Sequence, residues 1–192
     1  MKNIIIIFFF LLSFQSLTKA DDINDFEIEG MSIGDSLLNY FSKEEIKESL
    51  ATYYKDKKHS TARTVSSKYE NYDQIDISFI SKDKNYKIIG ISAAIYSDNI
   101  PEGCKKKSKE INNSIGETLD KNKYTYEESS MVHPIDTSGK STVDSKYYYF
   151  DNGDVIAIQC YNFSKETNYT SALKLNVAKS AHVNWLEDEA YK

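Results

Sequence analysis

The stretch "KYYYFDNGDVIAIQCY", residues 146–161, constrains the fold more than any other part of the chain. Two runs rich in aromatic and β-branched residues flank Asn152-Gly153. Both of those residues tolerate the positive φ that a type I′ hairpin turn demands. A two-residue loop predicts Asp151 opposite Asp154, Tyr149 opposite Ile156 and Tyr147 opposite Ile158. Side chains alternate along a strand, so Tyr147, Tyr149, Ile156, Ile158 and Cys160 are expected on one face. Tyr148, Phe150, Val155 and Ala157 then make the other. Two apolar faces leave two options: the terminal helices cover the second face, or it stays open as a binding surface formed by Tyr148, Phe150, Val155 and Ala157.

Period-two alternation recurs upstream. Ile75, Ile77 and Phe79 alternate with polar residues, "SKDKN" turns the chain, and Ile89, Ile91, Ala93 and Ile95 alternate again. This predicts a second hairpin with one buried face. A short strand is expected near 62–66, and Leu173, Leu175 and Val177 mark another. Between the hairpins, Pro101 stands where a helix should start, and Cys104, Ser108, Ile111, Ile115 and Leu119 follow at helical spacing. Lysines 105–107 and 109 fall mostly on the other sides, as a solvated helix face. Near the N-terminus, Ser32 with Asp35 and Ser42 with Glu45 read as capping boxes of two short helices. Ser180 heads a terminal helix presenting Val183, Trp185 and Leu186. The expected architecture is α+β: an antiparallel sheet of about five strands, one long helix packed on a face, a short N-terminal helix pair and a C-terminal helix.

The chain opens "MKNIIIIFFFLLSFQSLTKADD". Lys2, the unbroken apolar run Ile4–Leu12 and Thr18-Lys19-Ala20 have the layout of a signal peptide over residues 1–20. Nine apolar residues are too few to span a bilayer, which takes roughly 20. Residues 21–192 are then a single domain, exported to the periplasm or secreted, without stable membrane insertion after cleavage. Losing Lys2 and Lys19 takes the net charge from −5 to −7. Such an acidic chain is poorly suited to nucleic acid. In an oxidising compartment the two cysteines, Cys104 and Cys160, have only each other for an intramolecular disulfide. Both fall on faces predicted to be buried.

"TSGKST", residues 137–142, ends like a phosphate-binding P-loop, but the position of its first glycine is held by Pro134, which has no N–H to offer. A polar turn is the better reading. His59, His133 and His182 stand far apart in sequence and at no metal-ligand spacing. Asp73, Asp76, Glu127, Glu128, Asp136, Asp144, Asp151 and Asp154 could be paired only by the fold. No catalytic motif is recognisable, and no cofactor is implied.

The stretch "DFEIEGMSIGDSLLNYFSKEEIKESL" resembles the opening of small exported proteins of unknown function from AT-rich marine bacteria. It is also similar to the entry of BamE-type outer-membrane assembly modules, through Gly30-Met31-Ser32 and Leu37-Leu38. The chain departs from that family in having no lipid-carrying cysteine and a longer remainder. The resemblance implies a periplasmic interaction module. The expected function is therefore that of an exported, non-catalytic binding or envelope-associated module for a protein or small ligand. A carboxylate-based periplasmic hydrolase and a purely structural or stress-protective protein are the alternatives. A desolvated carboxylate pair in a cleft would mark the hydrolase, and a closed surface the structural protein.

Overall fold

The computed structural model of the protein describes residues 20–65, 69–100, 103–190 and 192. The expected leader over residues 1–20 lies outside the described residues except for Ala20, and so does Pro101. In chain order the strands and helices are β1 (Glu27–Ile28), β2 (Met31–Ser32), α1 (Lys43–Glu48), β3 (Leu50–Ala51), β4 (His59–Val65), β5 (Gln74–Ile80), β6 (Ile88–Tyr96), α2 (Cys104–Thr118), β7 (Tyr124–Val132), β8 (Thr142–Phe150), β9 (Val155–Asn162), β10 (Ala172–Ala178) and α3 (Ser180–Asp188).

β3 to β10 form one eight-stranded antiparallel sheet in the order β3-β4-β5-β6-β10-β9-β8-β7, and β1 and β2 form a separate two-stranded hairpin. The expected architecture, about five strands under one long helix with a pair of helices before it, is overturned. The described residues are mostly sheet, with three short helices outside it, and the fold is α+β in class. The first of the two expected N-terminal helices is only a 3-10 turn, Leu37–Asn39. Gly34 at φ +96° breaks helical geometry there, and the Asp35 carboxylate accepts from the Ser32 N–H at 3.1 Å to hold a turn instead. The second, α1, keeps its capping box between Ser42 and Glu45.

One face of the sheet carries the core. Ile75, Ile77, Phe79, Ile91, Ala93, Leu173, Leu175, Val177, Ile156 and Ile158 are all buried there. Each buried Ile, Leu, Val or Phe side chain contributes roughly 1.5–3 kcal/mol by leaving water. α2 lays Ser108, Ile111 and Ile115 over this face, and the N-terminal segment adds Ile23, Ile28, Met31, Leu37 and Ile46. The Cys104–Cys160 disulfide joins the start of α2 to β9, with Cα atoms 5.8 Å apart.

The central hairpin differs from expectation by one residue. Phe150 N–H donates to the Asp154 carbonyl and Gly153 N–H to the Phe150 carbonyl, so the loop is Asp151-Asn152-Gly153, three residues rather than two. Gly153, at φ +81°, takes the left-handed position that ends such a loop. The added residue changes the parity of β8 against β9: Tyr149 pairs with Val155, Tyr148 with Ile156 and Tyr147 with Ala157. The four residues expected to share a binding face are therefore split. Tyr148 and Phe150 join Ile156 and Ile158 on the core face and are buried. Val155 and Ala157 share the opposite face with Tyr147 and Tyr149.

The open face of the sheet as candidate functional site

The second face is built from side chains that alternate with the core. Gly90, Ser92 and Ala94 of β6 alternate with Ile91, Ala93 and Ile95, and Ala172, Lys174, Asn176 and Ala178 of β10 alternate with Leu173, Leu175 and Val177. Ala157 and Val155 continue the row on β9. The middle of the sheet thus presents small residues, while larger ones stand around it: Tyr53, Tyr54 and Arg63 on one side, Tyr147, Tyr161, Phe163 and Tyr169 on the other. The result is a groove of about 1000 Å³ whose floor is the sheet itself. A smaller hollow of about 380 Å³ lies between α2 and Phe26 and Tyr72, without a comparable network of polar side chains.

α3 closes one end of the groove, where Val183 and Leu186 are half-buried beside Val155 and Ala178. Its placement depends on Asp154, which is buried at the end of the β8–β9 loop. One Asp154 oxygen accepts from the Ser180 N–H at 2.9 Å and the other from Lys179 Nζ at 2.9 Å. A carboxylate at a helix N-terminus satisfies an otherwise unpartnered N–H and opposes the helix dipole.

Under α3, His59 of β4 and His182 of α3 place their Nδ1 atoms 3.0 Å apart, both rings buried. Two of the three histidines, far apart in sequence, thus form one close pair that their spacing does not reveal. Burial, reinforced by the neighbouring His59, pushes the His182 pKa down to about 4. His59 is lowered by burial and by the charge of Lys58. One ring donates and the other accepts, so at least one of the two imidazoles is neutral. Trp185 stacks on His182 and donates its Nε1–H to Asp56 at 2.7 Å.

The groove floor carries a connected polar network. The Gln159 side-chain oxygen accepts from Asn176 Nδ2 at 3.0 Å and from the Tyr161 hydroxyl at 3.1 Å. Gln159 Nε2 donates to Ser145 Oγ and to the Tyr147 hydroxyl. Three strands from Gln159, Asp76 of β5 is gripped by Arg63 of β4 through Nε at 3.0 Å and Nη2 at 3.1 Å, and Gln74 Nε2 donates to the same carboxylate. The Lys174 ammonium lies 5.0 Å over the Tyr161 ring centre. Burial lowers its pKa.

Of the other carboxylates singled out in the sequence, Glu127 and Asp151 are exposed, and Asp73 accepts from the Tyr96 N–H at 2.7 Å. Asp144 accepts from Ser130 and pairs with Lys105, and Glu128 pairs with Lys146. In the "TSGKST" turn, the Ser141 N–H and hydroxyl and the Ser138 N–H all point at the buried carboxylate of Asp136. The Ser164 hydroxyl adds a further bond at 3.0 Å. The loop does gather donors round an anion, but the anion is the protein's own, and its pKa is held well below the usual carboxylate range. Among the described residues no group of three or more His, Cys, Asp or Glu converges as a metal site. No helix among them is long and apolar enough to cross a membrane.

Lys174, Gln159, Asn176, Arg63 and the His59–His182 pair are not singled out by sequence motifs. The usable signal is positional: small and polar residues at every second place on strands whose other places are Ile, Leu or Val.

Comparison with protein-family models, with curated proteins and with solved structures returned no match to this chain.

Proposed function

We propose that the protein is an exported, non-catalytic binding module and that the groove on the open sheet face is where it takes a small soluble ligand. The observation that supports this is the contrast between the two faces. The same strands that bury Ile, Leu and Val on one side carry Gly, Ala and Ser interspersed with hydrogen-bonding side chains on the other, ringed by aromatic residues. Concave sites with aromatic walls and a few fixed polar groups are the usual form of ligand pockets. The polar groups here are already oriented by one another, so a ligand meets a surface with little ordering left to lose. Asp76, the carboxylate on the groove floor, is engaged by Arg63 and Gln74, an arrangement that suits recognition better than proton transfer. The disulfide suits an oxidising compartment.

A thermal-shift screen of polar small molecules tests the proposal, run in parallel on the wild type and on Ser92→Phe. Ser92 is half-buried on the floor, and a phenyl ring there fills the groove. Compounds that raise the melting temperature of the wild type and leave Ser92→Phe unmoved support the site. Compounds that stabilise both equally bind elsewhere and contradict it.

A further inference from the structure

We propose that the groove takes a small organic anion and that the Lys174 ammonium on its floor binds the ligand's carboxylate, an inference that rests on the groove being the ligand site. Lys174 lies on β10, one of the two middle strands of the eight, opposite Ala94 on one side and Gln159 on the other. Ala94 is too short to overhang it. Among the described residues no carboxylate forms an ion pair with it, and its named contact is the face of Tyr161. A ring face attracts a cation but is not a hydrogen-bond acceptor for three N–H groups. A half-buried ammonium without a counterion bears a desolvation cost that an entering anion relieves.

The carboxylate on this part of the sheet is not free to serve. Asp76 accepts two bonds from Arg63 and one from Gln74. That bidentate pair engages Arg63 as well; Asp76 acts on Lys174 only through its longer-range field, which leaves the Lys174 ammonium without a carboxylate in salt-bridge contact among the described residues. The surrounding groups fit the rest of a ligand. The Tyr147 hydroxyl accepts from Gln159 and keeps its own proton to donate, while Asn176 uses one N–H on Gln159 and retains its carbonyl oxygen. Ser92, Ala94 and Ala157 leave room above the sheet for a ring-shaped body between aromatic walls. Among the described residues the other charged groups and histidines lining the groove are Arg63, Asp76, His133 from the 133–135 loop, and His182 and Glu187 from α3, and the phenols are those of Tyr53, Tyr54, Tyr96, Tyr147, Tyr161 and Tyr169.

The test uses acetate, the smallest carboxylate, and acetamide, its neutral counterpart, at fixed ionic strength. The Lys174 side chain is followed by carbon-detected NMR of its Cε, and the Gln159 and Asn176 side-chain amides by their N–H signals. The expected result is a saturable acetate response at all three residues, with the Lys174 pKa rising as acetate binds. Acetamide should not produce it, Lys174→Met should abolish it and Lys174→Arg should retain it. The wild-type titration decides the matter even if Lys174→Met fails to fold. If acetate and acetamide shift the groove amides alike and the Lys174 titration stays put, the anion anchor is overturned while the groove remains a ligand site. If neither they nor larger neutral compounds move any groove signal, both readings fall.

Discussion

His59 Nδ1 and His182 Nδ1 lie 3.0 Å apart beneath α3, a contact between residues 123 positions apart in the chain. It fixes the last helix to the β4 side of the sheet, and it holds only while at least one ring is neutral. The folded pKa of His182 is about 4, below the ordinary 6.5. A depressed histidine pKa means that the unfolded chain binds protons more readily. Stability is thus fully present above pH 6.5 and is lost as pH falls toward 4. The integrated loss for His182 is on the order of 3 kcal/mol. Urea denaturation at pH 7.5 and pH 4.5 should show most of this drop. His182→Phe should flatten the dependence, and an unchanged midpoint across that range in the wild type would contradict the buried pair.

Gly90 makes the close approach of that helix possible. A Cβ at position 90 would come within 2.8 Å of His182 Cδ2. Since the ring is packed against His59 and Trp185, it has little room to retreat. Gly90→Ala should destabilise the fold by about 1–3 kcal/mol, the range for overpacking a filled site. Chemical denaturation checks this, and a neutral effect would mean that α3 is more loosely seated than its contacts indicate.

The Cys104–Cys160 bond closes a separation of 56 residues. Chain-entropy reasoning gives such a link about 4 kcal/mol, a large part of a typical folding free energy of roughly 5–15 kcal/mol. The double variant Cys104→Ala, Cys160→Ala should lose close to that amount. Thiol labelling of the denatured, unreduced protein should find no free thiol. Two labelled thiols would remove the bond from the account.

Tyr148 tests the corrected hairpin. It is buried on the core face, its hydroxyl donates to Asn112 (Oδ1 at 2.9 Å), and burial pushes its pKa up to about 12. Tyr148→Ala should therefore cost about 3–5 kcal/mol. Tyr149, on the opposite face and 37 % exposed, should tolerate the same change with under about 1 kcal/mol lost. A larger cost at Tyr149 than at Tyr148 would favour the two-residue loop.

These corrections show where the sequence was legible. The alternation of Ile75, Ile77 and Phe79 gave the core face of β5, and the 104–119 stripe gave the inward side of α2. The disulfide followed from those two faces. The hairpin was visible but its parity was not, because Asp151-Asn152-Gly153 also suits a three-residue loop, and one residue flips every side chain of β8. β7 escaped notice because "YTYEESSMV" forms an edge strand with nearly every residue exposed, so nothing enforces alternation. β4 reads as polar for a different reason: its second face meets the groove. The groove itself is written in the small residues between the apolar ones, a pattern that has meaning only once β6, β10 and β9 are known to be neighbours.

From the leader pattern over residues 1–20, mass spectrometry of the protein isolated from cells is expected to find Asp21 at its N-terminus. Ala20 donates its N–H to Thr118 O at 3.0 Å, and its carbonyl accepts from Asp120 N–H at 3.2 Å. Cleavage after Ala20 frees both partners, so the mature chain should show faster amide exchange at Asp120 than the uncleaved one. A full-length product retained in the cytoplasm would contradict export.

Amide NMR of the protein, titrated with compounds that raise its melting temperature, locates the ligand site. If the open sheet face takes the ligand, saturable shifts are confined to Ser92, Ala94, Ala157, Gln159, Lys174 and Asn176 and their neighbours and are lost in Ser92→Phe. Saturable shifts clustered on α2 or the β7 edge, with the groove signals unmoved, would contradict this reading.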